Sequence, residues 1–470
     1  MSNLGSFSDF GIDEALLRRV LARALARGGD AADLFFQRHS ASRFGLEDGD
    51  INRAFATVEL GVGVRVVIGD QVGYAYTEEL SEEAIGRAAD TASMVARGAK
   101  PLSVGAFHVP ARAQYYPLGR IDVTTQEKLP LLARLNSQAF ERDPRIKKVN
   151  VSYGDSQDEI LIACSDGRLV HDVQPMTTLG LSIVAEQGTQ RETNGYNVAA
   201  RDDIGFYDEA RLERLVKEAV ERTTILFEAG QPPAGEMPVV LGAGSSGILL
   251  HEAIGHGMEA DFNRKNTSIY ADKIGKAIAK SFVNVVDDGT IEKARGAVNV
   301  DDEGNPTEKT MLVEGGVLRT YIHDEISAKH YKVKPTGNGR RESYRSAPLP
   351  RMRSTYMLPG PHDPEEIIKS VKHGIYCNNF SNGQVQIGAG DFTFYVKNGY
   401  MIEDGKLTRP IKDVNIIGNG PKVLEQIDMV GTDLKIDEGG WTCGKDGQSV
   451  PVSQGMPTVR VSALTVGGRS

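Results

Sequence analysis

The chain has 470 residues, 40% of them hydrophobic and 25% charged, which excludes a disordered or fibrous protein and allows two or three domains with separate cores. Its 54 lysines and arginines face 63 aspartates and glutamates, a formal net charge of −9, which argues against nucleic acid as a main partner. No run approaches the roughly 20 apolar residues of a membrane span, no signal-peptide pattern opens the chain, and three scattered cysteines predict no disulfide framework and a cytoplasmic location.

The first predicted element is a helix over residues 13–27, where Leu16, Leu17, Val20, Leu21, Ala24 and Leu25 recur at helical spacing and Gly28-Gly29 ends the pattern. Alternating segments then predict strands over 33–38, 43–46, 54–59, 62–68 and 72–76, and a helix over 81–97. The order recurs, with a helix over 125–140, strands near 149–153, 159–163, 169–173 and 179–185, and a helix over 208–227. Turns at Asp48-Gly49 and Asp166-Gly167 occupy matching places in the two halves. The fold class is therefore expected to be α+β, with residues 1–230 a duplicated helix–antiparallel meander–helix domain. The linker Gly230-Gln231-Pro232-Pro233-Ala234-Gly235 leads into a β-rich second domain, 231–470, where 52 glycines in the whole chain already suggest many turns. That domain is predicted to have one clear helix over 248–259 and weaker ones near 273–280 and 364–373.

Chemistry concentrates in residues 237–265, where a short strand, a glycine turn and an apolar helix follow one another. Gly242-Ala243-Gly244-Ser245-Ser246-Gly247 spells the G-x-G-x-x-G of dinucleotide sites, and Asp261 lies roughly where a ribose-binding carboxylate is expected. No second strand follows, so a tight turn packing a helix close to a sheet is the stronger reading and a nucleotide-binding oxidoreductase the weaker. Next comes His251-Glu252-Ala253-Ile254-Gly255-His256, H-E-x-x-x-H. Neutral imidazole is the commonest zinc ligand, and an adjacent glutamate is suited to take a proton from an activated water. Five steps of about 100° leave the two histidines about 140° apart on a regular helix. The spacing therefore predicts a π-turn or a break between them, for which Gly255 and Gly257 supply backbone freedom. The plain alternative is a pair of core or capping histidines. Glu259, three residues on, is a rival metal ligand on residues alone.

Longer stretches carry a resemblance. LLHEAIGHGMEADFNRK, TGNGRRESYRSAPLPRMRSTYMLPG (336–360) and CGKDGQSVPVSQGMP with LTVGG (443–468), together with GVGVRVVIGDQVGYAYT (61–77), resemble the TldD/PmbA family of metalloproteases over most of the chain. The intact H-E-x-x-x-H is similar to the metal-bearing TldD branch, since the sister subunit TldE (PmbA) lacks it. The resemblance implies a Zn2+ site held by His251, His256 and Cys443, with Glu252 as general base. It also implies an active site enclosed by a TldE/PmbA-like sister subunit, or by a second copy of the chain, and short or unfolded peptides bound as an added strand. Cys443 suits the role, because Thr442-Cys443-Gly444-Lys445 reads as a glycine turn with a lysine favouring the thiolate. Cys164 and Cys377 sit in settings typical of plain burial.

Three other features are weighed. Asp301-Asp302-Glu303-Gly304-Asn305 lacks calcium-loop spacing and predicts a surface turn. His323 and His330 read as solvated or hydrogen-bonded. The basic cluster between Lys332 and Arg353 predicts a cleft lining or a binder of substrate carboxylates, with Arg341 and Tyr344 as candidates. The chain thus reads as a zinc-dependent peptidase, against the competing class of a non-catalytic zinc-containing scaffold subunit; an open fourth metal position separates the two.

Overall fold

The structure is a computed structural model that describes residues 10–96, 102–117 and 125–468. Helix α1 (Glu14–Ala24) begins where the Asp13 carboxylate accepts the Leu16 N–H at 2.7 Å, and it buries the predicted apolar stripe. Strands β1 (Ala31–Glu47), β2 (Asp50–Ile68) and β3 (Gln71–Thr77) and helix α2 (Glu82–Ala92) complete a first unit. The second repeats the order: α3 (Thr125–Arg142), β4 (Ile146–Cys164), β5 (Leu169–Gln187), β6 (Gln190–Ala200) and α4 (Glu209–Thr224). All six strands form one antiparallel sheet in the order β3-β2-β1-β4-β5-β6. The first strands of the two units pair at its centre, so the duplication is visible as two copies joined back to back.

The strands are longer than expected. Segments 33–38 and 43–46 belong to one strand, because His39–Ser42 pair with Glu59–Ala56 of β2 on one side and Asp158–Asp155 of β4 on the other. Two-sided pairing carries a polar interval through without a turn. Strand β6 was not anticipated, since QRETNGYNVAA has no apolar alternation; its ladder with β5 makes it a strand. Helix α2 stops at Ala92 and a 3₁₀ turn, Ser93–Val95, follows it; position 97, the end of the predicted helix, lies outside the described residues.

Side-chain alternation sorts the two faces. Leu34, Phe36, Leu161 and Ala163 pack beneath α1 and α2, and Phe44, Val149, Val151 and Leu181 beneath α3 and α4. Phe35, Ile160 and Ile162 point the other way, onto Val300 and Tyr344. A buried ion network crosses this second face. Arg65 on β2 reaches Asp33 at 2.5 Å and Glu303 at 2.6 Å, and Arg341 reaches Asp33 at 3.2 Å. Residues 301–305 are therefore not a surface turn: Asp301 and Glu303 are buried, Glu303 paired with Arg65 and Asp301 accepting the backbone N–H groups of Glu303, Asn305 and Gly339. Arg65→Met leaves buried carboxylates without their counter-charge, and the expected loss is about 3–5 kcal/mol of stability, read as a lower urea midpoint. An unchanged midpoint would remove this network from the account of how the two parts dock.

From Gly235 onward two further six-stranded sheets appear. In one, strands Gly235–Leu241, His373–Gln386, Asp391–Glu403, Lys406–Asn419 and Val459–Gly468 pair in a closed ring, a small barrel. An irregularity between Val461 and Leu464 lets the last strand serve two neighbours. The expected helix near 364–373 is Pro364–Lys369. The one near 273–280 is absent, because Gly275 turns at φ +80° and the Gly275 and Ile278 N–H groups donate to Leu318 and Gly316 carbonyls instead. Helices Glu325–Tyr331 and Gly420–Gln426 were not anticipated. His323 is buried with Nε2 3.3 Å from the Thr320 hydroxyl, and His330 is exposed.

Candidate metal centre

Barrel strand Gly235–Leu241 runs parallel to His373–Gln386 and antiparallel to Val459–Gly468, then delivers the chain into the glycine turn. Gly244 takes φ +95°, open to glycine at little cost. Gly247 packs so closely that a Cβ would stand 2.5 Å from the Gly455 nitrogen. These glycines let the next helix approach the sheet. Among the described residues no doubly wound sheet surrounds the turn, and Asp261 is buried against the Lys445 ammonium at 2.8 Å, so neither element of a dinucleotide site is in place.

One turn of α-helix, Gly247–Leu250, runs into a π-helical turn over His251–Gly255, closed by the His256 N–H donating to the His251 carbonyl. That i→i+5 bond places His256 one turn above His251, as the motif spacing requires. The two rings stand 5.1 Å apart at 84°. Gly255 contributes space rather than freedom. Its φ of −58° and ψ of −49° suit any residue, but a Cβ would lie 2.0 Å from Met352 Sδ. At Gly257 a Cβ would meet the Tyr270 ring at 2.6 Å. Gly420 presses on the same turn, and a Cβ there would lie 2.1 Å from the Ala253 carbonyl oxygen. Gly420→Ala therefore has to push the backbone of the π-turn. We expect a cost of about 1–3 kcal/mol and a reduced metal content, checked by thermal unfolding and elemental analysis. Full metal content at an unchanged Tm would show that the turn does not depend on this packing.

Cys443 arrives from almost two hundred residues away on strand Thr442–Lys445, which pairs with Gln448–Pro451. It is not in an open glycine turn: strand alternation turns Cys443 and Lys445 inward and Thr442 and Gly444 outward. The ligand atoms of His251, His256 and Cys443 all lie within 4.8 Å of one another, and all three side chains are buried. Cys443 Sγ is 3.4 Å from His256 Nε2. Zinc–nitrogen and zinc–sulfur bonds of about 2.0 and 2.3 Å in a tetrahedron need about 3.5 Å between those atoms. His251 Nδ1 is buried and has no hydrogen-bond partner among the described residues. Two imidazoles and a thiolate so arranged fit zinc.

The surroundings prepare each group. Burial pushes the Cys443 thiol up, but His251 and His256 outweigh it and leave the thiol well below its usual range. Lys445 is not the cause, because its ammonium bonds Asp261 at 2.8 Å and Glu259 at 3.2 Å. Burial alone raises Cys377, and it is the main cause that raises Cys164. Glu259 belongs to the support rather than to the ligand cluster: its Oε2 accepts from His256 Nδ1 at 3.0 Å, fixing the ring with Nε2 toward Cys443. Burial pushes the Glu259 carboxyl up, yet Lys445, His256 and Arg351 bring it down to about 2. Burial lowers His256, but Glu259 and Cys443 hold it well above its ordinary value. Glu252 is partly exposed, its Oε2 3.9 Å from His256 Nε2.

Arg341 and Tyr344 lie elsewhere, in the wall of a cleft of about 540 Å³ between the β1–β6 sheet and the second domain. Arg341 stacks on Phe35 and bonds Asp33 and the Asp302 carbonyl, the latter at 2.9 Å. Tyr344 is buried, and its hydroxyl donates to Glu78 at 3.2 Å. Motif reasoning missed the supporting roles of Lys445, Arg351, Met352 and Gly420. Only Lys445, two residues after the cysteine, carried any local signal.

Residues 234–468 match the family profile described as the PmbA/TldA metallopeptidase C-terminal domain, 120–227 the central domain and 32–96 domain 1. The Metalloprotease TldD homolog of Buchnera aphidicola is 41% identical over 461 residues, covering 96% of this chain and 95% of the relative. The Zinc metalloprotease TldD homolog of Saccharolobus solfataricus is 28% identical over 453 residues, covering 96% and 99%. Among solved structures, a protein described as a modulator of DNA gyrase from Thermotoga maritima superposes with a TM-score of 0.79 at 23% identity, covering 97% of this chain and 100% of that one. TldE from Thermococcus kodakarensis does so with 0.73 at 19%, covering 96% and 100%.

Proposed function

Since the chain belongs to the TldD/PmbA metallopeptidase family, we propose that it is a zinc-dependent peptidase acting on short or unfolded peptides, with residues 231–470 the catalytic domain and 1–230 the N-terminal domain. The observation that carries this reading is the convergence of His251, His256 and Cys443 on one point, with the Glu252 carboxylate beside it. Three protein ligands leave a fourth position free, the arrangement of catalytic rather than structural sites. Zinc held there would polarise the scissile carbonyl and lower the pKa of its water. Glu252 takes the proton of the attacking water and passes it to the leaving amine. Glu259 holds the His256 ring, and Lys445 and Arg351 keep Glu259 ionised. Arg341 and Tyr344 enter this reading as cleft-wall residues, the Arg341 charge being met by Asp33.

The same proposal places the chain in a complex with a TldE-like sister subunit or a second copy. A strand edge supports it: among the described residues the first half of β2 is exposed, bonds only β1, and presents Ile51, Phe55 and Val58 to solvent. No helix among the described residues is long and apolar enough to cross a membrane, and a cytoplasmic location is part of the proposal.

Chelation tests the function. Metal-stripped protein, assayed with its partner on an unstructured peptide, should lose cleavage, and one equivalent of zinc should restore it. Zinc at 100 times its Kd should also stabilise the fold by about 2.7 kcal/mol. Cleavage that survives complete removal of zinc would favour the scaffold reading.

A further inference from the structure

The cleft between the β1–β6 sheet and the second domain holds three arginines that make no ion pair with a carboxylate among the described residues. Arg201, just past β6, is 3% exposed; its Nη1 donates to Gln174 Oε1 at 3.2 Å, and its buried Nε has no partner among the described residues. Arg295 donates to the Trp441 carbonyl at 2.8 Å and to the Thr442 hydroxyl at 3.2 Å. Arg340, 4% exposed, donates to the Met352 carbonyl at 2.7 Å. Each has neutral acceptors only. Among the described residues none of the three has a carboxylate within ion-pair distance, whereas in the same cleft Arg341 meets Asp33 and Arg345 meets Glu59 and Glu78.

The nearest acid offsets these charges only in part: Asp302 is felt by Arg341, Arg340 and Arg201, but burial outweighs them and raises its carboxyl. Asp302 accepts the Arg341 N–H at 2.7 Å, and Asp301 accepts the backbone N–H groups of Glu303, Asn305 and Gly339. The three cations also repel: burial, then Arg201 and Arg43, lower the Arg295 guanidinium to about 10. Guanidinium withdrawn from water without an ion pair, fully at Arg201 and Arg340 and half at Arg295, is costly and becomes favourable when an anion completes it, and its planar fork matches a carboxylate. Glu59, Asp158 and Glu342 line the same cleft, so a polyanion is repelled and a singly charged group favoured. Thr442, which Arg295 holds, immediately precedes the candidate ligand Cys443.

We propose that Arg201, Arg295 and Arg340 form a carboxylate-binding subsite that selects peptides carrying an acidic side chain or a free C-terminal carboxylate. This inference rests on the peptidase reading above.

The test uses the full zinc-loaded chain with its partner and three matched peptides. One has an internal Glu and a C-terminal amide, one Gln and an amide, and one Gln and a free carboxylate. At least one charged peptide should exceed the uncharged one in kcat/KM by about 10- to 100-fold, the range of a charge-assisted hydrogen bond, and which one does so identifies the source of the carboxylate. Arg295→Gln and Arg201→Gln, checked for folding by thermal melting, should each reduce that ratio at least tenfold. Equal kcat/KM for all three peptides in wild type overturns the subsite whether or not the variants fold, and so does an unchanged ratio in folded variants. Fluorescence anisotropy on metal-stripped protein with the same labelled peptides separates the two readings. Tighter binding of a charged peptide there, with no cleavage by the zinc-loaded protein, upholds the subsite and sinks the peptidase; cleavage by the zinc-loaded protein without charge preference does the reverse.

Discussion

On the proposed function, Glu252→Gln is expected to lower peptide hydrolysis by about 10²- to 10⁴-fold and to leave the zinc content at its wild-type level. The substitution keeps the side chain's volume and removes only its ability to accept a proton. Among the described residues little leans on that carboxylate: it is partly exposed, its only ion pair there is the 3.9 Å approach to His256, and it stands outside the cluster of three ligand atoms. Stability should therefore hold, and kcat and kcat/KM should fall together, the mark of a contact made only in the transition state. Steady-state rates on one peptide, paired with elemental analysis of the same preparation, check both halves. Cleavage at the wild-type rate would show that another group moves the proton.

The π-turn was legible in sequence because the argument is angular: two histidines five apart meet on one face only if the helix gains a residue in that turn. The reason for the glycines was not legible. Gly255 and Gly257 read as conformational relief, but the features that demand glycine are Met352 and Tyr270, brought there by the fold. The loop at 301–305 was misread for a related reason. Its acids look solvated until Arg65, which belongs to the first unit's sheet, pairs with Glu303, and the backbone N–H groups of Gly339 and Arg341 bond Asp301 and Asp302. The duplicated order of helices and strands was visible, while strand lengths were not, since His39–Ser42 and β6 owe their conformation to pairing rather than to apolar pattern. Cys443 illustrates both halves: its membership of the site came from long motifs, and its true setting, inward on a short strand, from the pairing of Thr442–Lys445 with Gln448–Pro451.

Cys443→Ala should lose bound zinc and peptidase activity together, while Cys164→Ala and Cys377→Ala keep both. The distinction lies in what surrounds each sulfur. Cys164 faces the Glu303 carbonyl at 3.5 Å and Cys377 lies wholly inside the barrel's core, and burial holds both as thiols. Their truncation costs packing but removes no donor from the cluster. At Cys443 two imidazoles favour the thiolate, and its Sγ stands 3.4 Å from His256 Nε2, close to the separation a tetrahedral zinc requires. Without it two nitrogens remain. Of the two nearby carboxylates, Glu259 is occupied on the opposite edge of the ring, accepting from His256 Nδ1 and from Lys445, and Glu252 is the one beside His256 Nε2, so recruiting either would cost the bond that orients His256 or the general base. Metal content of the three purified variants, measured with their cleavage rates, decides the matter. Full zinc occupancy in Cys443→Ala would show that another group holds the metal, and the two-histidine, one-thiolate site would be wrong at its third position.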